Sequence, residues 1–293
     1  VTTNNLTNPI PIFYSPEQSV DSGVVVSDTS PSAHKPRIVV ERALELFGDK
    51  VALKAVSPVS RDDLSMVHDR TYVHDILDCV QDNGFGNKSP EVAATLRWTS
   101  GSFYSAAKYA LQHQTMAMSP TSGFHHACYD RGMGFCTFNG LMVAAAKMLD
   151  ETQTASRIGI IDFDAHYGNG TDDIIQRLEF AKQELVHETF GKYAIKKADY
   201  KPWLRMLPEY LESKFQGCDI LFYQAGADPH VDDPYGGFLT TEEMLERDNI
   251  VFAMAKRTRM PIVWNLAGGY QTPVDKVIQL HMNTFEAAFA NQF

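Results

Sequence analysis

A single α/β domain, with one open, mostly parallel β-sheet flanked by helices on both faces, is the architecture this sequence predicts. Three observations carry that expectation. Short β-branched or aromatic runs alternate with longer segments of helical period, the signature of repeated strand–helix units. No repeat, linker or low-complexity stretch divides residues 1–293. Polar, chemically able residues fall immediately after the apolar runs, where an open parallel sheet places its functional loops.

In chain order, strands are expected at 10–14, 51–56, 115–119, 157–163, 219–225 and 261–267. Helices are expected at 36–47, 71–81, 90–112, 139–151, 171–186, 203–215, 241–258 and 273–290. The helix at 241–258 has a clear start signal, with Thr240 and Thr241 ahead of Glu243 and then an apolar stripe.

The bulk composition narrows the class. Apolar residues make up 44% and charged residues 21% of the 293, as in ordinary globular proteins. A chain of that size builds its core without disulfides or a structural metal, so a metal here would serve chemistry. The net charge of −10 argues against nucleic acid, whose phosphates require a basic face. It would attract cationic substrates only weakly, as a salt-screened field. Cys79, Cys128, Cys136 and Cys218 form no C-x-x-C pair and no disulfide framework, which fits a reducing compartment. Val1 to Asn8 is polar and lacks a secretory pattern, and no apolar run reaches the ~18 residues that span a bilayer. The expectation is a cytoplasmic protein without a membrane partner.

Four segments carry the chemistry. The strand at 157–163 runs into Asp162, Asp164 and His166, and residues two apart on an extended chain share a face. Three ionisable groups at a buried strand end demand a partner, and a divalent metal supplies one. Asp228, in G-A-D-P-H after the strand at 219–225, adds a second carboxylate. Two carboxylates and an imidazole suit zinc and leave positions open for water and a substrate carbonyl. His125 and His126, in S-G-F-H-H-A, stand where a strand turns into a loop, so both can border one cavity as base and acid. Tyr270, in A-G-G-Y, follows two glycines that let backbone approach a ligand, and its phenol could donate to an oxyanion.

Taken together, S-G-F-H-H-A…G-F-C, D-F-D-A-H-Y-G-N-G-T, A-G-A-D-P-H…D-P-Y-G-G-F and A-G-G-Y resemble, in that order, the signature blocks of the histone deacetylase and acetylpolyamine amidohydrolase superfamily. The resemblance runs from H-D-R-T-Y-V at 68–73 to the end of the chain. It implies an arginase/deacetylase-like fold and zinc-dependent hydrolysis of an acyl-amine. Asp164, His166 and Asp228 would hold one zinc per chain. His125 and His126 would be the tandem histidines, with His126 as base and His125 as its electrostatic partner. Asp162 would pair with His125 and Asn169 with His126, setting tautomer and basicity. Asn169 stands where some members have aspartate, which leans toward the branch with bacterial amidohydrolases. Tyr270 would donate to the oxyanion, and Phe135 beside Gly134 would form the aromatic wall of the acyl tunnel.

The chain also departs from the pattern. After Thr171 the sequence is unlike the family's usual strand and S-L-H segment. Counting without gaps puts Leu185-Val186-His187 there, so the serine that helps hold a potassium ion near Asp162, Asp164 and His166 is missing. The rim loop at 84–90 carries Lys88 where many eukaryotic members have an aspartate that grips the peptide, which weakens a histone-tail substrate. The long insertion of the dimeric acetylpolyamine enzymes is absent as well. The expected partner is an acylated small amine or acyl-lysine, with a homo-oligomer left open.

Three other readings compete: a catalytically silent module that grips acylated ligands, a metal-free structural domain, and an arginase-like ureohydrolase. The last needs a further aspartate two residues after the histidine, where Gly168 stands.

Overall fold

Residues 8–151, 155–193 and 200–293 are described by the structure, a computed structural model; residues 1–7, most of the polar amino-terminal stretch, lie outside the described residues. The strands are β1 (Ile10–Phe13), β2 (Val51–Lys54), β3 (Met116–Ser119), β4 (Ile158–Asp162), β5 (Leu185–Thr189), β6 (Ile220–Gly226) and β7 (Ile262–Ala267). They form one seven-stranded sheet in the order β2-β1-β3-β7-β6-β4-β5. Each pairing is parallel.

The helices are α1 (Lys35–Phe47), α2 (Arg61–Ser65), α3 (Arg70–Leu77), α4 (Pro90–His113), α5 (Gly140–Glu151), α6 (Asn169–Arg177), α7 (Glu179–Glu184), α8 (Tyr200–Lys214), α9 (Thr241–Thr258) and α10 (Asp275–Ala290). The central strands are apolar at successive positions because both faces are covered. Ala117, Ile160, Phe222 and Val263 point to one face, where Phe103 and Ala107 of α4 and Leu141 and Ala145 of α5 meet them. Met118, Ile161, Tyr223 and Trp264 point to the other, against Val39 of α1, Leu211 of α8, Phe252 of α9 and Phe285 of α10. At the start of α9, Thr240 Oγ1 accepts from Glu243 N at 3.3 Å, and the Glu243 carboxylate accepts from Thr240 N at 2.9 Å.

The structure corrects two sequence expectations. The helix expected at 171–186 is broken at Leu178, whose φ of −103° and ψ of 121° are extended, and the chain re-forms a short helix before entering β5. Leu185 and Val186 satisfy a helical stripe and a strand equally well; pairing with β4 decides for the strand. The helix expected at 71–81 ends at Leu77, because Cys79 adopts a φ of +57°, outside helical geometry. No described helix is long and apolar enough to cross a membrane.

Four neighbouring strands, β3, β7, β6 and β4, carry the four chemical segments on the loops at their carboxyl ends. Chain order scatters those segments over 146 positions, from His125 to Tyr270. Sheet order brings them side by side.

Candidate active site

Asp164 and His166 lie on the loop after β4, and Asp228 on the loop after β6. Each offers one donor atom, and the three atoms lie within 4.8 Å of one another. His166 Nδ1 is 3.0 Å from Asp164 Oδ1 and 2.8 Å from Asp228 Oδ2. His166 Nε2 is 3.0 Å from the Tyr235 carbonyl and donates to it. That bond occupies Nε2 and turns Nδ1 toward the two carboxylates; Nδ1 carries a proton to them here and is the nitrogen a metal ion would take in its place. Both carboxylates are buried, and backbone N–H groups anchor them: His166 N donates to Asp164 Oδ1 at 2.9 Å and Ala165 N to Asp228 Oδ1 at 3.1 Å. Gly268, at a φ of +49°, passes so close to Asp228 that a Cβ would strike its carboxylate.

The electrostatics of this corner favour positive charge. Hydrogen bonds to Asp164 and Asp228 hold the His166 imidazole up at about 11. Burial opposes ionisation of Asp164, but His125 and His166 outweigh it and keep that carboxyl low. Burial and the Asp164 charge push Asp228 up. Two buried carboxylates and one imidazole, converging and backbone-anchored, fit a divalent cation. Among the described residues this is the one group of three or more such side chains close enough to hold an ion.

The tandem histidines follow β3. His125 Nδ1 donates to Asp162 Oδ2 at 2.7 Å, and His126 Nδ1 donates to Asn169 Oδ1 at 2.6 Å. The ring centroids are 4.0 Å apart. Their backbone is pinned by the start of α6, where Gly170 N and Thr171 N donate to the His125 carbonyl at 2.8 and 3.1 Å. His125 Nε2 stands 3.7 Å from Asp164 Oδ1, which ties the pair to the metal-ligand set. Burial alone would depress His125, but Asp162 and Asp164 outweigh it and hold the imidazole up at about 9. Burial, and then the neighbouring His125 charge, pushes His126 below the ordinary imidazole value.

Tyr270 follows β7. Its backbone N donates to Asp233 Oδ2 at 2.7 Å, and its ring packs edge-on against Tyr235 at 5.0 Å. Burial, reinforced by Asp164 and Asp228, pushes the phenol well above its usual value, so it stays a proton donor. Phe135 stands between Phe85 and Tyr270, with ring centroids 5.6 Å from each. It holds a φ of +65° just after Gly134 at +55°, and Gly134 lies against the His126 ring. A phenylalanine in that region stores strain of roughly 1–3 kcal/mol, which the surrounding loop maintains.

Several buried groups of the site escape the sequence reading. Gln224 on β6 donates to Asp162 Oδ1 at 2.9 Å and accepts from Phe124 N at 3.0 Å, bracing the carboxylate and the histidine loop together. One polar residue inside an otherwise apolar strand was its signal. Lys35 is fully buried and donates to the Gly268 carbonyl, and nothing in its local sequence marks it. Thr189 is the third. The ungapped count put Leu185-Val186-His187 beside the Asp162 loop, but the strand register sets Thr189 opposite Asp162. Its Oγ1 accepts from Gly168 N at 3.0 Å, so a hydroxyl stands in the neighbourhood where the count left none.

Comparisons with known proteins identify the family to which the fold belongs. A profile of the histone deacetylase domain matches residues 32–193, more than half of the chain. A probable deacetylase of Methanothermobacter thermautotrophicus is 27% identical over 240 residues, covering 71% of each chain. Histone deacetylase 2 of Arabidopsis thaliana is 27% identical over 262 residues, 79% of this chain and 67% of the plant protein. The crystal structure of the HDA15 HD domain superposes with a TM-score of 0.74 over 97% of this chain and 89% of that one; at 17% identity it speaks for the fold alone. On the extent of the domain match, the chain belongs to the histone deacetylase domain family.

Proposed function

We propose that this chain is a zinc-dependent deacylase, hydrolysing the amide of an acetyl-lysine, an acetylated polyamine or a related small acyl-amine with one zinc per chain. The observation that carries this reading is the convergence of Asp164, His166 and Asp228 within 4.8 Å, next to two histidines whose Nδ1 groups are anchored on Asp162 and Asn169. A zinc ion bound there supplies Lewis acidity toward water and the amide carbonyl.

The chain's own groups do the rest. His126 Nδ1–H donates a hydrogen bond to Asn169 Oδ1, so its Nε2 lone pair is free to take a proton from the attacking water. Its depressed affinity for protons keeps it neutral and ready, and once protonated it returns the proton to the leaving amine. His125, held by Asp162 and kept positively charged, stabilises the negative charge that develops on the carbonyl oxygen and keeps His126 a weak enough base to hand its proton on. Tyr270, protonated at working pH, donates to the developing oxyanion. Phe85, Phe135 and Tyr235 give the approach apolar walls suited to an acyl-bearing chain. In the same reading Thr189, paired in register with Asp162, would supply the hydroxyl missing from the expected S-L-H position for a potassium ion near Asp162, Asp164 and His166. Four free cysteines are consistent with a reducing, cytoplasmic setting.

A kinetic panel of acetyl-lysine peptides, acetylated polyamines, longer acyl chains and small acetyl compounds, with and without added zinc, tests this. Hydrolysis of at least one class that depends on zinc is expected. A zinc-loaded protein inert toward the whole panel would instead favour the silent binding module.

A further inference from the structure

The metal-ligand loops leave the sheet from β4 and β6, and both strand ends meet one buried side chain that neither the sequence motifs nor the proposed mechanism uses. Arg247, in the second turn of α9, is 1% exposed. Its Nη1 donates to the Phe163 carbonyl at 3.2 Å and to the Gly226 carbonyl at 2.8 Å. Phe163 immediately precedes Asp164, and Gly226 stands two residues before Asp228. Here the strands crowd together: a Cβ on Gly226 would lie 2.7 Å from the Phe163 carbonyl oxygen. The guanidinium also lies over the Phe163 ring, 5.7 Å from its centroid.

Arg247 is itself held in place. Its Nε donates to Asp248 Oδ1 at 2.8 Å, and its Nη2 lies 2.7 Å from the same oxygen. Asp248, also buried, accepts from the Tyr223 hydroxyl of β6, and its Oδ2 accepts from Thr284 Oγ1 of α10 at 2.6 Å. One cation thus ties the ends of β4 and β6 to α9, and one carboxylate ties that cation to β6 and α10.

We propose that Arg247 is a positioning residue of the metal centre, fixing the separation of the loops that present Asp164 and Asp228. This rests on reading those residues as metal ligands. A buried ion pair is a poor source of stability, because desolvation offsets most of its attraction. What it provides here is geometry. A planar fork spans two carbonyls and a carboxylate at once, which an ammonium group or an apolar side chain does not do.

The test measures zinc affinity by competition with a chromophoric chelator, and the visible spectrum of the cobalt(II)-loaded protein, for the wild type, Arg247→Lys and Thr284→Val. Arg247→Lys keeps the charge and loses the fork. It is expected to weaken zinc binding by about 10- to 100-fold and to alter the cobalt bands, as loss of supporting groups around metal ligands does. Thr284→Val, nearly isosteric, should shift both readouts in the same direction by a smaller factor. A folded Arg247→Lys protein with wild-type zinc affinity and an unchanged cobalt spectrum would overturn the proposal. Should Arg247→Lys fail to fold, Thr284→Val decides alone, and wild-type values there overturn it equally. A wild type that binds no zinc defeats the metal-centre reading instead, so the two failures are distinguishable.

Discussion

The two ends of the sheet differ in a way that separates capacity from chemistry. At the amino ends of the strands lies a roomy groove of about 960 Å³, bordered by Gln114, Cys218, Asp219, Arg257 and Pro261. Its charged groups are solvated; Arg257 pairs with Glu212 while both side chains remain 49% exposed. At the carboxyl ends, Asp162, Asp164, His125 and Asp228 are buried, and each has a fixed polar partner. Exposed charges interact through water and lose little when separated. Buried charges perturb one another strongly, and it is there that imidazole and carboxyl affinities for protons move apart. Volume identifies the first end; perturbed, partnered groups identify the second.

That contrast breaks or sharpens under substitution, most severely at the ligands. Asp164→Ala should take bound zinc from one equivalent to none and abolish turnover, with metal content read by elemental analysis; retained zinc would place the ion elsewhere. Next comes Tyr270→Phe, which removes a donor to the developing oxyanion. Turnover should fall about 100- to 1000-fold with zinc content unchanged. An unaltered kcat would remove Tyr270 from the chemistry.

A third effect is acid-sensitive stability under the histidine loop. His68 is buried, accepts from Asn139 N at 2.9 Å, and is pushed by burial down to about 4. Its folded affinity for protons lies below the unfolded value near 6.5, so its contribution is complete above that pH and is lost as pH falls toward 4. That window corresponds to about 3 kcal/mol, an order-of-magnitude figure from 1.36 kcal/mol per unit. Urea denaturation at pH 7 and pH 4.5 should show a steeper loss for the wild type than for His68→Gln. The smallest effect belongs to the other end: Arg257→Ala should cost under about 1 kcal/mol and leave kcat untouched. A large loss of activity there would undo the contrast between the ends.

Much of this is legible in the sequence. The central strands declare themselves because both faces are covered, so Ile158–Asp162 and Ile220–Gly226 read as nearly continuous apolar runs, interrupted only by Gln224 and ending in polar loops. The chemical segments are equally visible, since the donors lie within a few residues of a strand end. What stayed hidden depends on register or on distance along the chain. Thr189 was lost because β5 begins with two residues that suit either secondary structure and continues into His187 and Glu188. Arg247 was lost because it sits in a charged stretch of an amphipathic helix, where a side chain that turns inward looks like its solvated neighbours. Lys35 meets Gly268 across 233 positions, a separation that no local pattern reports.

The placement of β7 has a consequence for how the molecule comes into being. The last strand of the chain inserts between β3 and β6, in the middle of the sheet. A polypeptide that already contains Asp164, His166 and Asp228 but not Ile262–Ala267 lacks the strand that pairs with both β3 and β6. Such long-range closure is slow compared with local contacts. Ile262–Ala267 is the segment whose hydrogen bonds to both β3 and β6 make the tandem-histidine side and the carboxylate side one continuous sheet.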